Sequence, residues 1–312
     1  MTQCLRSDEV QLAANWLKQG KLVAFPTETV YGLGAPIFNP EAVVSIFKVK
    51  GRPPDNPLIA HIALLEQVER IAIEIPDAFY VLANSFFPGP LTVVLKRHER
   101  VPSIVSAGLD SIALRMPSHP IALKLISLVG EPLVAPSANL SGKPSATQAS
   151  HVLEDFDGQI AAVIDGGKTQ FGIESTVISL LDKTPILLRP GTIAKEQIED
   201  VLKTHVSTQV TGPARSPGMK YRHYAPKAPL RLFDTFENLK SYLFVHGPKR
   251  MVLSLHPLPE KLENSHLVST RELYSLLRLS DEQQMEEILV LCDEELRSQT
   301  ALMNRFLHSI GI

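Results

Sequence analysis

Between residues 22 and 203, short runs of aliphatic and β-branched residues alternate with stretches of helical period. That alternation restricts the chain to a layered α/β architecture more sharply than any other feature. Leu22-Val23-Ala24-Phe25 reads as a buried strand ending at Pro26. Further strands are expected at 58–63, 91–96, 111–115, 132–135, 160–164, 175–180 and 185–189. Helices fit near 64–72, 77–86, 119–129, 148–154 and 194–203. Ser7 is a candidate cap for a helix carrying Val10, Ala13, Ala14 and Leu17, stopped at Gly20. Asn39-Pro40 reads as an N-cap and N1 proline ahead of the apolar Val43, Val44, Ile46 and Phe47.

The pattern breaks at 207–230, where Pro213, Pro217, Pro226, Pro229, Gly212 and Gly218 crowd together. The same stretch holds Arg215, Lys220, Arg222 and Lys227 and no acid. It reads as an interdomain linker between a domain at 1–206 and a smaller one at 231–312. In that last part, strands at 230–233, 251–255 and 288–292 with helices at 235–245 and 293–309 suggest a small Rossmann-like sandwich.

Charge narrows the function. The whole chain is −2, and both flanking domains are slightly acidic, so the protein is no polycation built to coat nucleic acid. Cys4 and Cys292 can form neither a disulfide framework nor a thiolate zinc site. The acidic start and the lack of a long apolar run point to a cytosolic, reduced setting without membrane insertion.

Chemistry gathers at strand ends, where α/β sheets bind ligands. Phe25 to Gly34 sets Glu28 between Thr27 and Thr29 and follows them with Gly32 and Gly34. Lys48, Lys50 and Arg52 are followed by Pro53, Pro54, Asp55, Asn56 and Pro57, a stiffened cationic segment suited to an anion. His61 lies in the strand that follows. Arg115 closes the apolar strand begun by Ser111 and must find a bound anion or a carboxylate, with Glu28 and Glu174 both candidates. Arg189 repeats that pattern. Ala135-Pro136-Ser137-Ala138-Asn139 leads through Ser141 to Ser145, and Ser175 and Thr176 open another strand, giving hydroxyls and amides for ribose or carboxylate groups. Several motifs fail. Gly167-Lys168-Thr169 lacks the first Walker glycine, Gly32-Leu33-Gly34 lacks the third dinucleotide glycine, and the histidines show no metal spacing. Ser45 and Lys48 match S-x-x-K without the K-T-G that would accompany it.

Taken in order, Phe25–Ala35, Lys50-Gly51-Arg52, Arg115-Met116-Pro117, Ala135–Asn139, Glu174-Ser175-Thr176 and Arg189-Pro190-Gly191 resemble the YrdC-like family in its long, two-domain form. The resemblance is strong over 1–206, extends through Ser216 to Pro226, and is weak over the last 82 residues. It implies a YrdC-like twisted sheet with helices. It also implies a nucleotidyltransferase that makes L-threonylcarbamoyladenylate and pyrophosphate from L-threonine, bicarbonate and ATP, with Mg²⁺ on the phosphates and no organic cofactor. The product would pass to the machinery that threonylcarbamoylates tRNA beside the anticodon. Carried over by position, Thr29, His61, Arg115, Ala135 and Ser175 would hold threonine. Arg52, Asn56, Ser111, Ser137, Ser145, Arg189 and Tyr221 would hold ATP, with Tyr221, His223 and Tyr224 competing for the nucleotide contact. Lys50 and Arg52 would supply the catalytic positive charge, and the linker would close over the site as a lid. The rival reading is a non-catalytic module that binds RNA through a basic concave face.

Overall fold

The computed structural model describes residues 1–209 and 224–311. The chain divides into two compact units, Met1–Ser141 with Ser145–Lys220, and Gly142–Pro144 with Tyr221–Ile312. In the first, the elements are β1 (Gln3–Leu5), α1 (Val10–Lys18), β2 (Val23–Phe25), β3 (Gly32–Pro36), α2 (Pro40–Lys50), β4 (Ile59–His61), β5 (Ala72–Ile73), α3 (Asp77–Phe86), β6 (Leu91–Arg97), β7 (Ser111–Arg115), α4 (Pro120–Val129), β8 (Leu133–Val134), α5 (Ala149–Phe156), β9 (Ala162–Ile164), β10 (Thr176–Ser179), β11 (Ile186–Arg189) and α6 (Lys195–Leu202).

The strands form one mixed sheet in the order β1-β9-β2-β3-β8-β4-β7-β6-β10-β11, with β5 on β6. One face carries the main core, from Leu33 and Ile46 through Phe79, Leu114 and Phe156. Toward the β1 end, the opposite face is covered by α1 and α4 through Val10, Leu17, Leu125 and Ile126. A third, small apolar group, Ile59, Val94, Ala113, Val177, Ile186 and Leu188, lines the stretch of sheet from β4 to β11.

Local chemistry explains most of the elements. Asn39 Oδ1 accepts from the Ala42 N–H at 3.0 Å and Pro40 starts α2, as the sequence suggests. Such a cap stabilises a helix by about 1 kcal/mol. Four expectations need correction. Glu9 rather than Ser7 precedes α1, without a side-chain cap, and its carboxylate instead accepts from the Arg6 N–H at 2.9 Å. Residues 65–70 form a 3₁₀ turn instead of an α-helix. Residues 32–36, where no strand was expected, form the buried strand β3, and Gly34 lets it lie under the Phe25 ring. A Cβ there would sit 2.9 Å from a ring carbon. The expected closing helix at 293–309 is two helices that meet at Gln299.

The second unit holds β12 (Leu230–Phe233), α7 (Phe236–His246), β13 (Arg250–Ser254), β14 (Ser265–Leu267), α8 (Thr270–Glu282), β15 (Glu287–Leu291), α9 (Glu294–Ser298) and α10 (Thr300–Ile310). Its four strands are all parallel in the order β12-β15-β13-β14, which requires crossover helices and gives a layered sandwich. A closed ion network ties β13 to β15. Glu287 accepts from Arg250 Nε at 2.8 Å, and the Tyr242 hydroxyl sits 3.0 and 2.8 Å from its two oxygens. Arg250 Nη1 donates to the carbonyls of His246 and Gly247, and its Nη2 lies 3.4 Å from Glu286. Burial would push the Glu287 carboxyl up, but the bonds from Arg250 and Tyr242 outweigh it and hold the group below its ordinary value. Among the described residues no helix is long and apolar enough to cross a membrane.

Candidate active site

The ladder register assembles a polar row across the sheet. β4 and β7 run parallel with His61 beside Arg115. β7 and β6 are antiparallel with Leu114 against Val93, and one further step sets Thr92 opposite Arg115. Thr92 and Ser175 share a hydrogen bond at 2.7 Å. Arg189 Nη2 then donates to Ser175 Oγ at 3.2 Å and its Nε to the Ser175 carbonyl at 3.1 Å. His61, Arg115, Thr92, Ser175 and Arg189 thus form one continuous line of buried polar groups. The next row of the same face is the apolar group Ile59, Ala113 and Val94. A face that is ionic along one row and greasy along the next suits a ligand with a charged end and a flat apolar body.

The loop after β2 closes on this row. Arg115 Nη1 donates to Thr29 Oγ1 at 2.8 Å and Nη2 to Glu28 Oε2 at 2.9 Å. Of the two carboxylates that could neutralise Arg115, the fold chooses Glu28, and Glu174 instead accepts from Ser145 Oγ at 2.6 Å. Thr27 braces the turn, donating to the Val30 carbonyl at 2.6 Å and lying 2.8 Å from Thr29 Oγ1. His61 is 4% exposed, and burial, reinforced by the Arg115 charge, drives its pKa down to about 3. The imidazole is therefore neutral near pH 7. Its Nδ1 faces the Ile59 carbonyl at 3.2 Å, so the proton sits on Nδ1 and Nε2 is an acceptor.

A second loop, after β8, is stapled to the first. The Ala135 N–H donates to the Ile59 carbonyl at 3.1 Å, the Ala138 N–H to Tyr31 at 2.7 Å, and the Tyr31 N–H to Ala146 at 2.8 Å. Lys50, at the end of α2 and 2% exposed, aims its ammonium at the Ser137 carbonyl (2.6 Å) and the Asn139 carbonyl (2.5 Å). Its charge is buried against the loop that carries Ser137. Arg52 Nη2 donates to the carbonyls of Asn56 (3.2 Å) and Pro57 (3.0 Å), which bends the cationic segment toward β4. Gly191, just past Arg189, must be glycine, since a Cβ there would come within 2.4 Å of the Thr176 N.

Of the residues singled out from sequence, Thr29, His61, Arg115, Ser175 and Arg189 meet in the polar row, with Ala135 beside it on Ile59. Ser145 joins through Glu174, the neighbour of Ser175, and Lys50 through Ser137. Arg52 and buried Asn56 lie in the segment leading into β4. Ser111 stands apart, at the far end of β7 from Arg115, about 13 Å along the strand at ~3.3 Å per residue. There it borders a groove of about 410 Å³ with Glu74, Lys96 and Leu181. Tyr221 and His223 lie outside the described residues. Two participants escaped the sequence reading as site residues. Glu28 was weighed only as an ion-pair partner, and Thr92 is signalled only as the lone polar residue in the run Leu91–Leu95. Among the described residues no three acidic, histidine or cysteine side chains group as a metal cage.

Residues 15–191 match the Sua5_yciO_yrdC family model, described as telomere recombination. Residues 193–309 match the model of the threonylcarbamoyl-AMP synthase C-terminal domain. The threonylcarbamoyl-AMP synthase of Bacillus subtilis is 43% identical over 323 residues, covering 97% of this chain and 93% of that protein. The Pyrococcus abyssi synthase is 56% identical over 225 residues, which span 70% of this chain and 66% of the relative. The crystal structure of P. abyssi Sua5 complexed with L-threonine superposes with a TM-score of 0.91 at 42% identity, covering 100% of this chain and 98% of that one.

Proposed function

Because this chain belongs to the Sua5_yciO_yrdC family and carries the threonylcarbamoyl-AMP synthase C-terminal domain, we infer that it makes L-threonylcarbamoyladenylate from L-threonine, bicarbonate and ATP. The observation that carries the reading is the buried row His61–Arg115–Thr92–Ser175–Arg189 beside an apolar row on the same sheet face. In this reading the threonine ammonium first gives a proton to solvent. The amine nitrogen then bonds to the carbon of bicarbonate, one water leaves, and a carbamate forms. A carbamate oxygen then attacks the α-phosphorus of ATP, and the bond to pyrophosphate breaks. Two anions must approach each other, so fixed cations that offset their repulsion and set their geometry supply most of the acceleration.

Arg115 takes the threonine carboxylate. Thr29, neutral His61, Ser175 and the backbone at Ala135 frame the rest of the amino acid, and the His61 acceptor faces a donor such as the threonine hydroxyl. Arg189, Arg52, Asn56, Ser137 and Ser145 take the phosphates and ribose, and Ser111, beyond the apolar row, takes the distal end of the nucleotide. Lys50 acts through its field and by holding the Ser137 loop. Mg²⁺ would arrive with ATP, whose phosphate oxygens it favours, and would offset part of their negative charge. The adenylate would go on to a tRNA-modifying transfer step, and the cytoplasm is the expected setting. A closing role for 207–230 falls largely on residues 210–223, outside the described part of the chain.

The test is pyrophosphate release from ATP by the purified full chain. Release that needs both L-threonine and bicarbonate is the expected result. Release indifferent to either one, or salt-sensitive RNA binding without turnover, overturns the reading.

A further inference from the structure

The Glu28–Arg115 pair is unusual in what it leaves undone. It is a one-point contact, Nη2 to Oε2 at 2.9 Å, and the second terminal nitrogen of Arg115 is spent on Thr29. Glu28 and Arg115 are 2% and 4% exposed. Even so, Glu28 Oε1 and Arg115 Nε are buried without any hydrogen-bond partner among the described residues. Folded proteins satisfy nearly all buried polar atoms, and a charged group left short is the costliest exception. His119 lies within electrostatic range, but its Nδ1 accepts from the Ile121 N–H at 3.2 Å, and no hydrogen bond joins its ring to Glu28. Arg115 is already bonded, and His61 is turned to Ile59.

The two spare atoms have opposite character, a donor on a cation and an acceptor on an anion. Together they are the mirror of a zwitterion, whose carboxylate matches Arg115 and whose ammonium matches Glu28. We propose that Glu28 is a substrate-binding residue that grips the α-ammonium of the amino acid through Oε1. The inference rests on the reading of L-threonine as substrate and adds to it a specificity determinant. The pair selects α-amino acids over the corresponding hydroxy acids and fixes the nitrogen that, once its extra proton has left to solvent, bonds to the carbon of bicarbonate.

The decisive comparison is equilibrium binding to the full chain of L-threonine and of 2,3-dihydroxybutanoate, which differs by a hydroxyl in place of the ammonium. The wild type should prefer threonine by at least ~10-fold, the discrimination a charged hydrogen bond provides. Glu28→Gln keeps the shape and an oxygen for Arg115 but turns an NH₂ toward the substrate nitrogen. It should weaken threonine at least ~10-fold while leaving the hydroxy acid within about threefold, so the preference collapses. A merely structural role for Glu28 would weaken both ligands alike, and that outcome overturns the proposal, as does an unchanged preference. Should Glu28→Gln fail to fold, Glu28→Asp keeps the charge but shortens the reach and must narrow the preference too, and a full preference there overturns the proposal. A wild type that binds no threonine removes the functional reading as well, whereas threonine binding with an unaltered ratio in the variants removes Glu28 alone.

Discussion

Each unit of this protein buries an arginine against a glutamate, and the two pairs are finished differently. In the second unit, Glu287 accepts from Arg250 and meets the Tyr242 hydroxyl, while Arg250 spends its other nitrogens on backbone carbonyls and Glu286. In the first, Arg115 and Glu28 touch at one point and each keeps a buried atom in reserve. Buried ion pairs seldom add much stability over an apolar packing, because desolvation offsets the attraction. A closed network therefore reads as architecture, fixing how β13 and β15 register. An open one holds back bonding capacity that a ligand can complete. The contrast separates structural charge from working charge without reference to exposure, since all of these arginines are buried.

The comparison can be broken most forcefully at Arg115. Arg115→Ala should cut threonine-dependent pyrophosphate release by ~100-fold or more, since its charged bond to the substrate carboxylate and its pairing with Glu28 both go. An activity left near wild type would make Arg115 as architectural as Arg250. Arg52→Ala should lose at least ~10-fold in rate, from one such bond to the anionic reactants, and steady-state turnover at saturating ATP checks it. Glu287→Gln moves the other side of the contrast. It should cost the second unit about 1.5–3 kcal/mol, seen as a fall of its melting transition by roughly 10 °C, with turnover at 25 °C within about twofold. A turnover loss as large as that of Arg52→Ala would erase the distinction between the pairs.

At neutral pH the smallest effect concerns His61, whose folded pKa lies near 3 against an ordinary value of 6.5. Here the unfolded chain binds the proton first, so stability is full above about pH 6.5 and declines as pH falls toward 3. Denaturant titrations across that window should show a dependence of up to one proton, which His61→Gln flattens. An unchanged slope in the variant would assign the acid loss to other groups.

How much of this was legible in the sequence depends on how local the signal was. The strand Ser111–Arg115 was readable because an apolar run ends in a charge, and the Asn39-Pro40 start of α2 because capping is a matter of adjacent residues. β3 was hidden because its glycines mimic a turn, and only the folded position of the Phe25 ring explains why Gly34 must be glycine. β14 and α8 went unseen because Ser265–Leu267 carries almost no strand signal and α8 buries Arg278 along with its leucines. The choice of Glu28 over Glu174 for Arg115, and the recruitment of Thr92, depend on ladder register, which a linear reading cannot supply.

The polar row and the Glu28 that closes on it draw on residues 28, 61, 92, 115, 175 and 189, which span six separate segments of the first unit. Contacts so far apart in the chain form late, after loop-closure entropy has been met for nearly the whole sheet. Until β11 docks on β10, Arg189 is missing from the row and its charges stay scattered. Competence for catalysis therefore arrives in one step, and substrate binding becomes a gauge of whether the entire sheet has closed.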